Sequence, residues 1–455
     1  MTTINEASPG TAAVSGTDLT PAATVRPVAL SLRANFSWTF VGNVVYAGCQ
    51  WAMLVVLAKL GTPEMVGQFA LGLAISGPVI MLANLQLRAI QATDARQQFQ
   101  FADYLGLRLT TSIIAALVIA AIGVIGGYRY ETALVIVVIG LAKAIESISD
   151  VFYGFLQQQE RMDRIAKARM IKGPLSLVLL GLFVALTGSV FAGGLGLLMA
   201  WAIILLTYDI PSAALIHREL ARTSADYEPG ALKPRWARDT LARLTWLALP
   251  LGVVMMLISL NSNIPRYFLE RYEGERGLGI FAAMSYLMVA GTTVVSALGQ
   301  SASPRLAKYY AAGNASAFRN LLLKLVGIGA FLGVAAVLVV AIAGKPILTL
   351  LYQPEYAEQA DVFVWITLAA GIGYVASFLG YGMTAARYFK VQAPLFAVVT
   401  GVTALASFWL VPRYGLQGAA FALLCSAVVQ LFGALAIVGY ATFHLNADRE
   451  QADAT

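Results

Sequence analysis

The chain of 455 residues is 59% hydrophobic and only 12% charged, with a mean hydropathy of +0.73. A water-soluble domain carries roughly a quarter of its residues as charges, so a soluble globular fold is excluded. The net charge of +7 fits Lys and Arg gathered on the cytoplasmic face of a membrane, and no nucleic-acid partner is expected.

Residues 1–35 are rich in Ser, Thr, Ala and Pro and lack the basic, apolar and small-residue succession of a cleaved signal. They read as a disordered cytoplasmic tail. Beyond them, apolar runs recur at the roughly 20 residues that a membrane-spanning helix needs, not the ~10 alternating residues of a barrel strand. Twelve spans are predicted, at 36–58, 66–87, 105–127, 132–155, 171–190, 193–216, 244–265, 278–300, 322–343, 361–385, 391–411 and 416–441. The longest polar interruption, 217–243, carries Tyr227-Glu228-Pro229-Gly230 and Pro234, both turn chemistry. It separates an N-terminal lobe, 36–216, from a C-terminal lobe, 244–441, and a cytoplasmic tail occupies 442–455. With the N-terminus inside, 23 of the 31 Lys and Arg residues fall on the cytoplasmic side, including Arg26, Arg96, Arg108, Arg169, Lys172 and Arg449. Seven fall on the opposite side and Lys143 within a span, a bias that places both termini in the cytoplasm. Cys49 and Cys425 lie in apolar segments and read as small buried hydrophobes. With His217 and His444 as the two histidines, no metal site is expected. The chain has no G-x-x-x-x-G-K-[ST] phosphate loop, which excludes ATP hydrolysis, and no cofactor is expected.

The first and seventh spans end alike. Leu57, Lys59, Gly67, Phe69 and Ala70 recur as Leu269, Arg271, Gly279, Phe281 and Ala282, at a constant offset of 212. A second echo pairs Gly193-Gly-Leu-Gly196 with Gly415-Leu-Gln-Gly418. Copies six spans apart run in the same direction, so a pseudo-two-fold axis along the membrane normal should relate two lobes around a cavity. The predicted fold is an all-α polytopic membrane protein, with about twelve transmembrane helices in two pseudo-symmetric six-helix lobes around a central cavity.

Charge inside a bilayer is costly and marks function by default. Lys143, Glu146 and Asp150 stand three and four residues apart in the fourth span, on one helix face. Lys143 and Glu146 can simply pair; a second carboxylate at Asp150 makes ion coupling available, and Asp150 with the Tyr153 hydroxyl can instead gate the inner mouth. Asn43 and Gln50 in the first span, Asn84 and Gln86 ending the second, and Asn261 and Asn263 in the seventh either tie helices together or line the cavity. The repeat puts the polar residues of the first and seventh spans face to face. Trp51, Trp201, Trp246, Trp365 and Tyr381 are belt and packing residues or, alternatively, platforms for sugars. Asp209, next to Pro211, reads as the cap of a broken turn.

Three stretches carry a family resemblance: Asn43-Val-Val-Tyr-Ala-Gly-Cys-Gln50-Trp51 with Ala58-Lys-Leu-Gly-Thr-Pro-Glu64-Met-Val-Gly67; Lys143-Ala-Ile-Glu146-Ser-Ile-Ser-Asp150-Val-Phe-Tyr153 on through Glu160-Arg161-Met-Asp163-Arg164; and Asn263-Ile-Pro265-Arg266-Tyr267. They resemble bacterial polysaccharide (O-antigen or exopolysaccharide) repeat-unit flippases, a family of the multidrug/oligosaccharidyl-lipid/polysaccharide exporter (MOP) superfamily, over almost all of 36–440. The resemblance implies a multi-pass protein of the bacterial inner membrane. It implies translocation of undecaprenyl-pyrophosphate-linked oligosaccharide from the cytoplasmic to the periplasmic leaflet, by alternating access and without covalent chemistry. The lipid-linked oligosaccharide and the bilayer are then its partners, a polysaccharide polymerase and export machinery are candidate partners, and the chain is expected to work as a monomer. The related peptidoglycan-precursor flippases carry two additional helices, unlike the twelve spans here.

A pyrophosphate lipid calls for cations at its site. The candidates are Arg88, Lys143, Arg266 and Arg305, with snorkelling to the interface as the alternative for each arginine near a span end. Asn43, Gln50, Asn261 and Asn263 are the candidates for sugar hydroxyls, and Glu146, Asp150 and Tyr153 for coupling or gating. The stretch 157–172 alternates acid and base and reads as an amphipathic helix at headgroup level, or as an entry platform for the anionic lipid. A cation-coupled drug exporter would want an acidic cavity, and a membrane-embedded polymerase would need large periplasmic loops with catalytic carboxylates, so both are secondary expectations.

Overall fold

A computed structural model describes residues 32–94, 98–223 and 233–453. The expected tail up to residue 31 with Arg26, the position of Arg96, and the Tyr227-Glu228-Pro229-Gly230 turn lie outside the described residues, as do the side chains of His444 and Arg449. The first lobe comprises α1 (Leu32–Leu60), α2 (Pro63–Asn84), the short α3 (Leu87–Thr93), α4 (Phe101–Ile125), α5 (Tyr130–Gln158), α6 (Met162–Thr187), α7 (Val190–Ile204) and α8 (Ile210–Thr223). A π-helical turn, Leu205–Asp209, joins α7 to α8. The second lobe comprises α9 (Arg238–Leu287), α10 (Val289–Ala311), α11 (Ala315–Leu351), the single turn α12 (Pro354–Ala357), α13 (Ala360–Ala385) and α14 (Phe389–Asp453).

Among the described residues, ten helices are long and apolar enough to cross a membrane. Two of the ten, Arg238–Ala311 and Val391–Phe443, run to 74 and 53 residues. At 1.5 Å per residue the longer would reach on the order of 110 Å if straight, several times the ~30 Å hydrocarbon core. Each is interrupted instead by one glycine in the left-handed region, Gly274 (φ 71°) and Gly415 (φ 52°), where a side chain would be strained. The second break is a hairpin: a Cβ on Gly418 would collide with the Leu410 carbonyl, a contact that eight residues of straight helix cannot make. Counting across the two breaks recovers twelve crossings, in the places the hydropathy predicts.

Several helices overrun the predicted spans: α10 runs to Ala311, past the predicted end at 300, and α11 covers Ala315–Leu351. α6 begins at Met162, nine residues before the predicted span, and α14 runs on helically to Asp453 through the expected tail. The lobe-joining segment is tied to the first lobe. Arg235 grips the buried Asp103 of α4 with two hydrogen bonds of 2.7 Å, and its backbone N–H donates to the Ala102 carbonyl.

The lobes meet where the repeat predicts a symmetry axis. A Cβ on Gly67 would strike the Glu275 carbonyl, and one on Gly279 would strike the Pro63 carbonyl. These two contacts are images of each other at the offset of 212. So is the pair Glu64 and Arg276, 3.2 Å apart. Arg276 also pairs with Glu355 of α12, and Glu275 accepts from Gln68 and Thr132 of the first lobe. Leu57, Phe69, Leu269 and Phe281, all repeat mates, bury themselves in one core beneath this closure. Further along, α2 stays on α9: Gly77 faces Ser259 and Asn263, and Gly252 rests on Leu82 and Leu85. On the other flank α1 and α10 leave a gap of about 500 Å³ edged by Phe36, Phe40, Asn43, Val44, Ser296 and Gln300.

Candidate functional site

Between the lobes lies a cavity of about 790 Å³, extending from Lys143 to the α3 end of the molecule. One face of α5 forms its floor, because Lys143, Glu146, Asp150, Tyr153 and Gln157 follow the three- and four-residue spacing of a helix surface. Lys143 Nζ lies 2.9 Å from Glu146 Oε2, and Lys172 Nζ of α6 lies 3.4 Å from Glu146 Oε1. The Tyr46 hydroxyl of α1 donates to the same carboxylate at 2.6 Å. Both ammonium groups also stand over the ring of Trp201, at 5.0 and 5.3 Å from its centroid. That ring is fully buried and anchored by its N–H on Ser176 Oγ. The two lysines thus share one carboxylate and one aromatic face at mid-span.

A second station stands toward the α3 end. Asp150 receives Arg88 at 3.2 Å and Arg108 at 3.8 Å. Arg88 also donates to Gln157 at 3.0 Å, and the fully buried Arg108 donates to Asn84. The Gln86 backbone lets Arg88 approach: Leu85 and Gln86 both adopt positive φ, which breaks α2 from α3 and turns the arginine inward. Facing these stations from the second lobe, Arg266 donates to Asn263 at 3.1 Å and lies over the Tyr286 ring at 5.8 Å. Arg169 of α6 donates to Asn43. Among the described residues neither Arg266 nor Arg169 has a carboxylate partner, and Arg266 Nε is buried without an acceptor. The cavity wall therefore presents five cations, Arg88, Lys143, Arg169, Lys172 and Arg266, against the two carboxylates Glu146 and Asp150.

Of the predicted residues, Lys143, Arg88, Arg266, Asn263, Glu146, Asp150 and Tyr153 line this cavity, as do Asn84 and Gln86. Others go elsewhere. Asn43 borders the α1–α10 gap, and Gln50 is half-buried on α1 with its amide nitrogen unpartnered. Asn261 accepts from Thr403 and Ser426 of α14, in a separate 320 Å³ pocket of the second lobe. Arg305 is exposed on α10 outside the cavity. The polar residues of the first and seventh spans do not face each other, because α1 packs mainly on α6 while α9 packs mainly on α2. Trp201 packs beneath the lysines, and Trp51, Trp246, Trp365 and Tyr381 stay off the cavity wall.

Lys172, Arg169 and Arg108, assigned by charge counting to the inner surface, are the residues that sequence reasoning missed. Lys172 is ten residues into α6 and 2% exposed. The expected headgroup helix over 157–172 is instead a turn at Gln159–Arg161 followed by the first three turns of a packed helix. A signal was present: Ile165, Ala168, Lys172, Ser176, Leu180 and Val184 form one buried stripe at helical spacing. A hydropathy window hides it, because Arg161, Asp163, Arg164 and Lys167 depress the average.

The fold and cavity define a two-lobed, multi-pass membrane transporter with a cationic centre. The chain belongs to the family described as "Polysaccharide biosynthesis protein", whose model matches residues 32–310, and with it to the MOP superfamily; the MatE family model matches 250–408. It is 29% identical over 404 residues to the capsular polysaccharide biosynthesis protein CapF of Staphylococcus aureus, covering 87% of this chain and 96% of that protein. Among solved structures it shares its fold with a MATE family transporter in an inward-facing conformation (TM-score 0.66, 15% identity, 90% of this chain and 99% of that one). It shares it also with the MATE transporter VcmN of Vibrio cholerae (TM-score 0.59, 14% identity, 90% and 95%). The chain is accordingly a transporter of polysaccharide biosynthesis, not an enzyme.

Proposed function

We propose that the chain translocates undecaprenyl-pyrophosphate-linked oligosaccharide from the cytoplasmic to the periplasmic leaflet of the bacterial inner membrane. The observation that carries this is the charge of the cavity: five cations face two carboxylates, and among the described residues Arg169 and Arg266 have no carboxylate partner. Unpaired cations at this depth are costly, and a pyrophosphate with two or more negative charges compensates them. The forks of Arg169 and Arg266 suit phosphate oxygens, while the lysines act as point charges. Asn84, Gln86, Gln157, Asn263 and Gln300 add the neutral groups a saccharide needs. The α1–α10 gap shares Arg169 and Gln300 with the cavity and exposes Phe36, Phe40 and Val44, so a polyprenyl tail can stay in lipid while its headgroup sits inside.

The lobes close at the Pro63 end and part at the Arg88 end. With both termini in the cytoplasm, as the Lys and Arg bias suggests, this is an inward-open state, ready to load from the cytoplasmic leaflet. A cationic drug would meet repulsion in this cavity, which disfavours the exporter reading.

The test is deletion of the gene followed by analysis of the lipid fraction. Accumulation of an undecaprenyl-pyrophosphate oligosaccharide on the cytoplasmic face, cleared by the wild-type chain but not by an Arg169→Ala, Arg266→Ala double variant present at normal level, is the expected result. Unchanged lipid-linked sugars together with new sensitivity to cationic drugs would replace this reading with the exporter.

A further inference from the structure

Asp209 stands apart from the other buried and cavity-lining carboxylates of the first lobe. Glu146 and Asp150 each hold two cations, Asp103 holds Arg235 and Asp163 holds Arg161. Asp209 is 1% exposed, has no ion-pair partner among the described residues, and its Oδ1 has no hydrogen-bond partner. Its Oδ2 accepts the Tyr153 hydroxyl at 3.3 Å. The carboxylate ends the π-helical turn Leu205–Asp209, in which the Ile210 N–H reaches back to the Leu205 carbonyl. Pro211 supplies the local cause, since it cannot donate to the Thr207 carbonyl and its ring crowds that turn. Widened turns of this kind recur at functional sites. The expected capping role is thus replaced by a buried carboxylate aimed at the cavity wall.

We propose that Asp209 is a proton-binding site linked to the anion cavity through Tyr153 and Lys172. The groups around it fit that role. Tyr153 and Ser149 face it from α5, with Glu146 and Asp150 further along the same helix. Lys172 acts on it through space from α6, and Arg169 acts on Tyr153. Tyr208 is its neighbour on the turn, α7 carries no titratable side chain, and those of α8 begin at His217, two turns on. A buried carboxylate without a cation is relieved by taking up a proton. In its charged form Asp209 competes with Glu146 for the field of Lys172, which lies over the Tyr153 ring at 5.7 Å. In its neutral form it leaves Lys172 to Glu146 and to any anion in the cavity. Proton and anion therefore favour each other's binding, and the linkage is reciprocal.

This inference uses the anion cavity of the proposed function, and three arms of one experiment separate the two. Infrared difference spectra of the full chain in lipid vesicles are recorded across pH, following the carbonyl stretch of a protonated carboxyl. The wild type should show a titrating band that Asp209→Asn removes and Asp209→Glu retains at a shifted frequency; a band unaffected by Asp209→Asn overturns the proton site. In Lys172→Gln, which takes a positive charge away, the band's midpoint should move to higher pH by about one unit or more, and an unmoved midpoint overturns the linkage. Inorganic pyrophosphate added to the wild type should move the midpoint in the same direction. If pyrophosphate has no effect while Lys172→Gln does, the proton site and its link stand and the anion reading fails.

Discussion

Glu146 carries three partners, and each of them is positioned by a different helix. Removing it leaves the buried Lys172 and the half-buried Lys143 uncompensated, which costs less than the ~3–5 kcal/mol of a fully buried broken pair because the cavity admits water. Glu146→Ala should therefore lower the thermal midpoint of the detergent-purified protein by several degrees, and the triple change Glu146→Ala, Lys143→Met, Lys172→Met should regain most of that loss. A midpoint that Glu146→Ala leaves unmoved would show that water already compensates the lysines. The same residues separate stability from transport: Lys172→Met alone should cut translocation at least tenfold, measured as clearance of the lipid-linked sugar, while the chain still inserts. At this scale the sequence was legible where charge stood alone in an apolar run, as with Lys143, Glu146 and Asp150. It was not legible where a charge stood next to others. Lys172 follows five charged residues within eleven positions, so composition assigns it to the surface although its helical register buries it.

Among the elements, α2 has the most constrained surface. Gly67 and Gly77 remove side chains where α9 approaches, and Gly72 does the same toward Ile139 of α5. A single methyl at position 67 has no room, since the obstacle is the Glu275 backbone and not a side chain that can swing away. Gly67→Ala should wedge the lobes apart at the Pro63 end. In a chain with Cys49→Ala and Cys425→Ala, a Thr62→Cys thiol should then react at least fivefold faster with a membrane-impermeant maleimide added from the periplasmic side; unchanged labelling would mean that the contact yields locally. The repeat made this glycine visible in the sequence, because it recurs as Gly279. The partner it needs was not visible. Offset alone does not say whether repeat-related helices touch, and Asn43 and Asn261, on the repeat-related first and seventh spans, face away from each other toward α6 and α14.

For the molecule as a whole, closure of one end sets a rim of polar contacts over an apolar core shared by the two lobes. Arg276 spans Glu64 of the first lobe and Glu355 of the second, and Glu275 is held by Gln68 and Thr132. The exposed pairs each contribute little by themselves, roughly 0–1 kcal/mol, which suits a contact made and broken in each transport cycle. Arg276→Glu places three carboxylates together and should favour the outward-open state, read as faster periplasmic labelling at Thr62→Cys and slower loading from the cytoplasmic leaflet. Conversely, joining Glu64→Cys to Arg276→Cys with a short bifunctional maleimide should hold the closed end shut and stop translocation. Transport that continues in the cross-linked chain would argue against rocking of the lobes about this end.

The sequence by itself determined the helical, membrane-spanning class, the twelve crossings and the two-fold repeat, because lipid requires long apolar segments and repeats keep their register under a constant offset. It also exposed the charges that no apolar environment tolerates without a reason. Only the tertiary structure decided which cations meet in one cavity and which are already neutralised. That depends on helix rotation and on where α6 begins, and neither property is carried by average hydropathy. Asp209 shows the limit most clearly. Its place beside Pro211 is plain in the sequence, but that it forms no ion pair among the described residues follows only from the packing of α5, α6 and the π-helical turn around it.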